Sequence, residues 1–230
     1  MNVVISRYRF IAYTIFATTL SLPAAARAGQ ALLIAYPESK ITVDFLALSK
    51  MELGHAGILM ISDAGVTRYY EFGRYDQVHE GKVRKVTLPN VSFTSKGEVN
   101  KTSLLRVLQQ LSNYSGQRGR ILAAYIPKVD YNAMNKFVQD SMRDWPAYHW
   151  YSNNCATYAT AVLKAGSPAN SPLFSNIITT PENLVTDYLI HGAGEVKYDP
   201  KSKTFCFKAP GPWFLAPFQH GCQSLATMGN

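Results

Sequence analysis

The chain has 230 residues, of which 47% are hydrophobic and 17% charged, and it carries a formal net charge of +8. A positive charge favours anionic partners such as cell wall, lipid head groups or nucleic acid. The basic residues are scattered and form no run interleaved with aromatic residues, so we predict no nucleic-acid partner.

The N-terminal residues 1–28 have the features of a cleavable signal peptide. Arginines precede an apolar stretch over residues 10–26, and Ala26-Arg27-Ala28 matches a small-x-small cleavage site. A membrane anchor is the alternative, but Pro23 and the short apolar run argue against it. We therefore predict cleavage after Ala28 and an exported protein, periplasmic or secreted, with no stable membrane insertion.

The mature chain, residues 29–230, is long enough for one domain with its own core. Removing the three leader arginines lowers the net charge from +8 to +5. Oxidising compartments favour disulfides, and Cys206 and Cys222 lie close enough in the sequence to pair. That pairing would leave Cys155 as the odd thiol of the chain.

Strand-like segments, rich in β-formers and bounded by turn residues, follow the leader. They cover residues 30–36, 55–61, 66–75, 82–89 and 120–127. Asp63-Ala64-Gly65 predicts a hairpin between the second and third of them. Residues 40–51 are ambiguous, and the C-terminal fifth predicts a strand or two followed by loops.

Four helices are predicted where a capping residue precedes apolar residues at helical spacing. The expected caps are Thr102, Asp130, Asn153 or Asn154, and Thr180. In the second helix the residues expected to face inward are Met134, Phe137, Val138 and Met142. Because helices alternate with strands that look hairpin-linked, the pattern favours an α+β fold with an antiparallel sheet over a doubly wound parallel sheet.

The third helix begins with a cysteine. Cys155 follows two asparagines and shares a helix face with Ala159 and Val162. Chemistry needs a thiolate, and the partial positive charge at a helix N-terminus lowers the pKa of a thiol there. Its N–H groups can also hold an oxyanion. A buried structural cysteine is the alternative interpretation.

A histidine must accept the thiol proton if Cys155 is a nucleophile. His55 opens the most apolar strand, directly after Gly54, where a polar ring needs an explanation. His149 lies in the aromatic segment 145–151 and could line a pocket instead. The three remaining histidines have polar or loop-like surroundings and are weaker candidates: His79, His191 and His220.

An imidazole base also needs an orienting partner. Glu71 lies on the next strand between Tyr70 and Phe72, so its carboxylate is a candidate to fix the ring of His55. The alternative is an exposed acid on an alternating strand. Asp63 and Asp76 are weaker candidates because both look like turn residues.

These residues resemble a known family. GHAGILMI at residues 54–61, a turn, and a strand carrying Glu71 are similar to the histidine hairpin of NlpC-type cell-wall peptidases, a branch of the papain-like fold. In that family a cysteine opens a helix, and a histidine and a third polar residue lie on successive strands. Cys155, His55 and Glu71 occupy those places.

The order of the residues departs from the usual one, since histidine precedes cysteine. That order is similar to the circularly permuted branch, which includes YiiX-like bacterial proteins and lecithin:retinol acyltransferase-like enzymes. The resemblance covers roughly residues 50–75 and 148–166, with a TPENL helix start at 180–184. Ala156-Thr157 stand where a serine or glycine often follows the family cysteine, which affects the expected subfamily and substrate.

The resemblance implies a permuted papain-like α+β fold and acyl transfer through a thioester. Cys155 would attack a carbonyl, His55 would shuttle the proton and Glu71 would orient His55. The oxyanion would be bound by the Cys155 N–H with a donor from Tyr151 to Asn154, and His149 would line the pocket. No metal or cofactor is expected, because no ligand cluster has zinc spacing.

Three functions remain open at this stage. The first is an amidase or endopeptidase acting on peptidoglycan stem peptides, either for the cell's own wall or as an antibacterial effector with an inhibitor or immunity protein as partner. The second is a lipid or thioester acyl hydrolase or acyltransferase, in which aromatic segments cradle an acyl chain. The third is a non-catalytic domain that binds cell wall or a partner.

Overall fold

The computed structural model describes residues 28–42, 50–51, 54–75, 80–114, 119–167, 180–211 and 222–225. The predicted leader, apart from Ala28, therefore lies outside the described residues. The strands are β1 (Gly29–Tyr36), β2 (Ile41–Thr42), β3 (Lys50–Met51), β4 (His55–Ile61), β5 (Thr67–Gly73), β6 (Lys82–Thr87), β7 (Ile121–Val129), β8 (Gly194–Asp199), β9 (Thr204–Lys208) and β10 (Cys222–Ser224).

Eight of these strands form one antiparallel sheet in the order β10-β9-β8-β7-β1-β4-β5-β6, while β2 pairs with β3. The predicted hairpin joins β4 to β5, where Gly65 adopts a positive φ of 82° in the turn. The α+β class and the antiparallel sheet are thus confirmed. Residues 40–51, ambiguous in the sequence, hold only the two short strands of the small sheet among the described residues.

The helices are α1 (Lys101–Asn113), α2 (Tyr131–Ser141), α3 (Cys155–Gly166) and α4 (Pro181–Ile190). Asp130, Asn154 and Thr180 cap α2, α3 and α4 as predicted. The predicted cap Thr102 is wrong: Asn100 accepts a hydrogen bond from the Ser103 N–H and starts α1 earlier. The side-chain oxygen of Asn100 satisfies the N–H of Ser103 in the first turn, so the helix is capped before Thr102 is reached.

Apolar residues cover both faces of the large sheet. Helix α3 packs on β4, β5 and β1, with α2 against α3 and α4 against β1 and β7. The buried leucines of α1 belong to the core on the opposite face. Met134 and Val138 are buried in α2 and Phe137 is partly buried, but Met142 is 45% exposed because α2 ends at Ser141 and Met142 only caps it.

This arrangement brings the start of α3 next to the start of β4. Cys155 lies in the core layer between α3 and the sheet, and His55 opens the strand that α3 covers. At the edge of the sheet formed by β9 and β10, a disulfide joins Cys206 to Cys222. Over the described ranges, no helix combines the length and apolarity needed to cross a membrane.

Candidate active site

The thiol of Cys155 lies at the first residue of a well-capped helix. Asn154 Oδ1 accepts hydrogen bonds from the N–H groups of Ala156 at 2.9 Å and Thr157 at 3.1 Å, and Thr157 Oγ1 accepts one from the Asn154 N–H at 2.8 Å. This capping box fixes the entry of the chain into α3. Because Cys155 is the first residue of α3, its thiol lies at the positive end of the helix dipole. Cys155 is 5% exposed, so the thiol has little access to water.

His55 is placed by the strand and by the glycine before it. Gly54 has a φ of +77°, where a Cβ would lie 3.1 Å from the Tyr36 carbonyl oxygen. His55 itself pairs with Tyr36 across β1 and β4, and the two rings stack with centroids 6.3 Å apart. The imidazole is therefore fixed at the end of the sheet.

Glu71 is the partner of the imidazole. Its Oε2 lies 3.1 Å from His55 Nε2 and accepts a hydrogen bond from the Tyr69 hydroxyl at 3.0 Å. The side chain of Glu71 is 0% exposed, and Arg84 Nη1 lies 4.0 Å from Oε1. A buried carboxylate needs such partners to remain ionised. Because Nε2 faces Glu71, Nδ1 is the ring nitrogen that remains for the thiol.

The three groups shift one another's acidity. Burial opposes charge on His55, but the nearby Cys155 and Glu71 outweigh it and raise the pKa of His55 to about 10. Burial likewise opposes a thiolate, yet His55 and the N–H groups of Ala56 and Ala156 lower the pKa of Cys155. Burial opposes the charge of Glu71 too, and hydrogen bonds from His55 and the neighbouring tyrosines lower its pKa. The arrangement favours a thiolate–imidazolium pair beside a carboxylate.

Gly57 explains part of the GHAG sequence physically. A Cβ at this position would lie 2.1 Å from the Tyr69 hydroxyl oxygen, so only glycine lets that ring cross β4. Gly57 pairs with Glu71 in the hairpin. The Tyr69 ring passes across Gly57, and its hydroxyl donates a hydrogen bond to the Glu71 carboxylate. Glycine here therefore makes room for a hydrogen bond to the carboxylate.

The other predicted site residues occupy the loop before α3. The ring of His149 is exposed, with Nδ1 3.1 Å from Ser152 Oγ, and stacks on Trp150. Tyr151 is 54% exposed. The Asn154 side chain caps α3 and donates a hydrogen bond from Nδ2 to the Trp150 carbonyl oxygen. An oxyanion donor from the segment Tyr151 to Asn154 stays a prediction.

Of the remaining histidines, one caps another helix and two lie outside the described residues. His191 caps the C-terminal end of α4, and its Nδ1 lies 2.6 Å from the Asp187 carbonyl oxygen. His79 and His220, with Asp76, lie outside the described residues. In the part of the chain that the structure describes, no group of three or more His, Cys, Asp and Glu side chains is placed to hold a metal ion.

Sequence reasoning did not find the tyrosines and the arginine that surround Glu71. Tyr69 donates a hydrogen bond to the carboxylate, the Tyr75 hydroxyl lies 3.1 Å from the His55 nitrogen that faces it, and Arg84 approaches it from β6. Alternation along β5 placed Tyr69 on the same face as Glu71, which is a usable signal. The sequence carries no signal for Arg84, because its position depends on the register between β5 and β6.

Comparison with known proteins decides the family. A family model described as type VI secretion system effector TseH-like matches residues 31–171. The chain belongs to this TseH-like family of effectors. The matched region includes all three residues of the buried Cys155–His55–Glu71 arrangement. The predicted export agrees with membership in a family of secreted effectors.

A solved structure supports the same assignment. The crystal structure of the type VI secretion system effector TseH resembles this TseH-like protein with a TM-score of 0.68 and 27% sequence identity. The similarity covers 80% of this chain and 100% of that one. A search of curated proteins found no match.

Proposed function

We propose that this TseH-like effector is a cysteine hydrolase that cleaves amide bonds in peptidoglycan stem peptides. The observation that carries the proposal is the buried imidazole of His55, which contacts the Glu71 carboxylate through Nε2 and interacts with the Cys155 thiol at the start of α3. Thiol, base and orienting acid in this arrangement are the parts of nucleophilic acyl transfer.

The first half of the reaction forms a thioester. The Cys155 thiolate attacks the carbonyl carbon of the scissile amide, and the oxygen becomes an oxyanion. The N–H of Cys155 at the helix N-terminus is our assigned oxyanion donor. When the C–N bond breaks, the His55 imidazolium gives its proton to the leaving amine. Glu71 keeps the ring oriented throughout.

The second half releases the acyl group. Neutral His55 accepts a proton from a water molecule as its oxygen attacks the thioester carbonyl. The C–S bond then breaks, leaving a carboxylic acid product and restoring the thiolate–imidazolium pair. The sequence of steps needs no metal ion or cofactor, since water is the only co-reactant.

The wall substrate rests on three supports. The site residues lie at positions that resemble those of NlpC-type wall peptidases, with histidine before cysteine as in the permuted branch. The family consists of secreted effectors. The positive charge of the chain suits an anionic cell wall. We place the action in the periplasm of a target cell, by residues 29–230 after loss of the leader, with a neutralising immunity protein as partner.

Purified sacculi test the proposal. Wild-type protein should release new muropeptides, identified by mass, while Cys155→Ala and His55→Ala should release none although they remain folded. Mass spectrometry of the products identifies the cleaved bond. If the wild type releases nothing from sacculi but frees fatty acid from phospholipid vesicles, the lipid acyl hydrolase replaces our assignment. If it does neither and Cys155 is inert toward iodoacetamide at neutral pH, the non-catalytic binding domain replaces both enzyme assignments.

A further inference from the structure

We propose that Tyr75, braced by Arg84, is a positioning residue that locks the His55 ring against Glu71 and toward Cys155. This inference rests on the proposed function for its meaning, but the geometry that carries it is independent of the substrate. No residue of this bracing pair was singled out by the sequence analysis.

Tyr75 closes a triangle on the imidazole. Its hydroxyl oxygen lies 3.1 Å from His55 Nε2, the same nitrogen that lies 3.1 Å from Glu71 Oε2. Burial opposes the charge of Glu71, and the Tyr75 hydroxyl is among the groups that lower the pKa of this carboxylate. The Tyr75 and His55 rings meet edge to face at 79° with centroids 6.3 Å apart. Two polar neighbours at Nε2 and one ring edge together restrict rotation of the imidazole.

The backbone after β5 is shaped to deliver this ring. The Tyr75 N–H donates to the Gly73 carbonyl oxygen at 2.9 Å, which folds the chain back at the strand end. A Cβ at Gly73 would lie 2.9 Å from Tyr75 Cζ. Glycine at this position therefore leaves the space that the Tyr75 ring occupies beside the active site.

Arg84 holds the outer face of the same ring. Its guanidinium carbon lies 4.3 Å from the Tyr75 ring centroid and 5.3 Å from that of Tyr114, whose hydroxyl accepts a hydrogen bond from Nη2 at 2.7 Å. The side chain is 27% exposed and Nη1 lies 4.0 Å from Glu71 Oε1. Arg84 thus packs on the outer face of the Tyr75 ring through a cation–π contact and adds a positive charge beside the Glu71 carboxylate.

The consequence is an alternating row of charges from solvent to sulfur. The charges alternate along this row: positive on Arg84, negative on Glu71, positive on His55 and negative on Cys155. The neutral Tyr75 hydroxyl lies beside the contact between His55 and Glu71 and fixes its geometry. Burial raises the pKa of Tyr75, so this hydroxyl stays protonated as a donor. A purely structural tyrosine would affect folding but not the ionisation of the thiol.

The pH profile of Cys155 alkylation by iodoacetamide tests the inference without any substrate. Cys155 is the only free cysteine among the described residues, and the other two of the chain's three cysteines form the disulfide. Tyr75→Phe keeps the ring but removes the hydroxyl, and we expect the midpoint of the profile to rise by about one pH unit. At a pH below both midpoints, alkylation should then be roughly tenfold slower than in the wild type.

Tyr125→Phe is the matched control. It removes another buried hydroxyl, which donates a hydrogen bond to Gln30 Oε1 at 2.6 Å. Tyr125 lies on β7, and β1 separates that strand from β4 in the sheet. The alkylation profile of this variant should match that of the wild type. A Tyr75→Phe profile that superimposes on the wild type overturns the inference, and so does an equal shift in Tyr125→Phe.

Arg84→Gln decides the matter if circular dichroism shows that Tyr75→Phe does not fold. It changes no atom of Tyr75 but removes the guanidinium that packs on its ring, together with its charge. We expect an upward shift of the midpoint in the same direction, and an unchanged profile overturns the inference. Failure to digest sacculi would refute the proposed substrate while leaving this profile as the test of Tyr75.

Discussion

Replacing Glu71 by glutamine is the sharpest perturbation of the proposed site. The change keeps the size of the side chain and removes the charge that faces His55 Nε2 at 3.1 Å. A hydrogen bond to a charged group contributes about 1.5–3 kcal/mol, and one pKa unit corresponds to about 1.36 kcal/mol. The pKa of His55, raised to about 10 in the wild type, should therefore fall by roughly one to two units.

Nuclear magnetic resonance of labelled histidine measures this directly. The ring signals of His55 are followed against pH in the wild type and in Glu71→Gln. Glu195→Gln is the control, since it neutralises a carboxylate on β8, three strands from β4 in the sheet, and should leave the titration unchanged. If the ring titrates at the same pH with and without Glu71, the carboxylate does not stabilise the imidazolium and our triad loses its third member.

Three further outcomes are expected. Gly57→Ala should lower the free energy of unfolding by about 1–3 kcal/mol in denaturant titrations, because the new Cβ would lie 2.1 Å from a tyrosine hydroxyl, whereas Gly211→Ala, with nothing within 4 Å, should not. Asn154→Ala should lower the free energy of unfolding by about 0.5–2 kcal/mol and should also slow alkylation of the Cys155 thiol. Asn100→Ala, at the cap of α1, should lower the free energy of unfolding by a similar amount without slowing alkylation. Hydrolysis measured against pH should fall on the alkaline side near pH 10, where His55 loses its proton, and on the acid side where the thiolate is protonated.

Local patterns in the sequence were sufficient to locate the two groups that we propose react. A capping asparagine before an apolar periodicity located the start of α3, and therefore Cys155. An apolar run opened by a histidine located β4, and a turn signal after it paired β4 with β5. These features depend on neighbours within a few residues, so a single sequence carries them.

Features that depend on register and long-range packing were not predictable in this way. Arg84 reaches Glu71 because β6 pairs with β5 so that the two residues are opposite one another. Tyr75 reaches His55 because the chain folds back after Gly73. Three C-terminal strands also complete one side of the sheet, where the sequence predicted a strand or two followed by loops.

The ultraviolet absorbance of the thiolate, measured against pH, tests the central claim most directly. The spectrum of Cys155→Ser is subtracted from that of the wild type, and the same titration is made for His55→Ala. The midpoint of Cys155 ionisation should lie below its ordinary pKa of 9.0 in the wild type and rise when the imidazole is removed. A wild-type midpoint at or above 9.0, or one that stays the same without His55, would contradict the account.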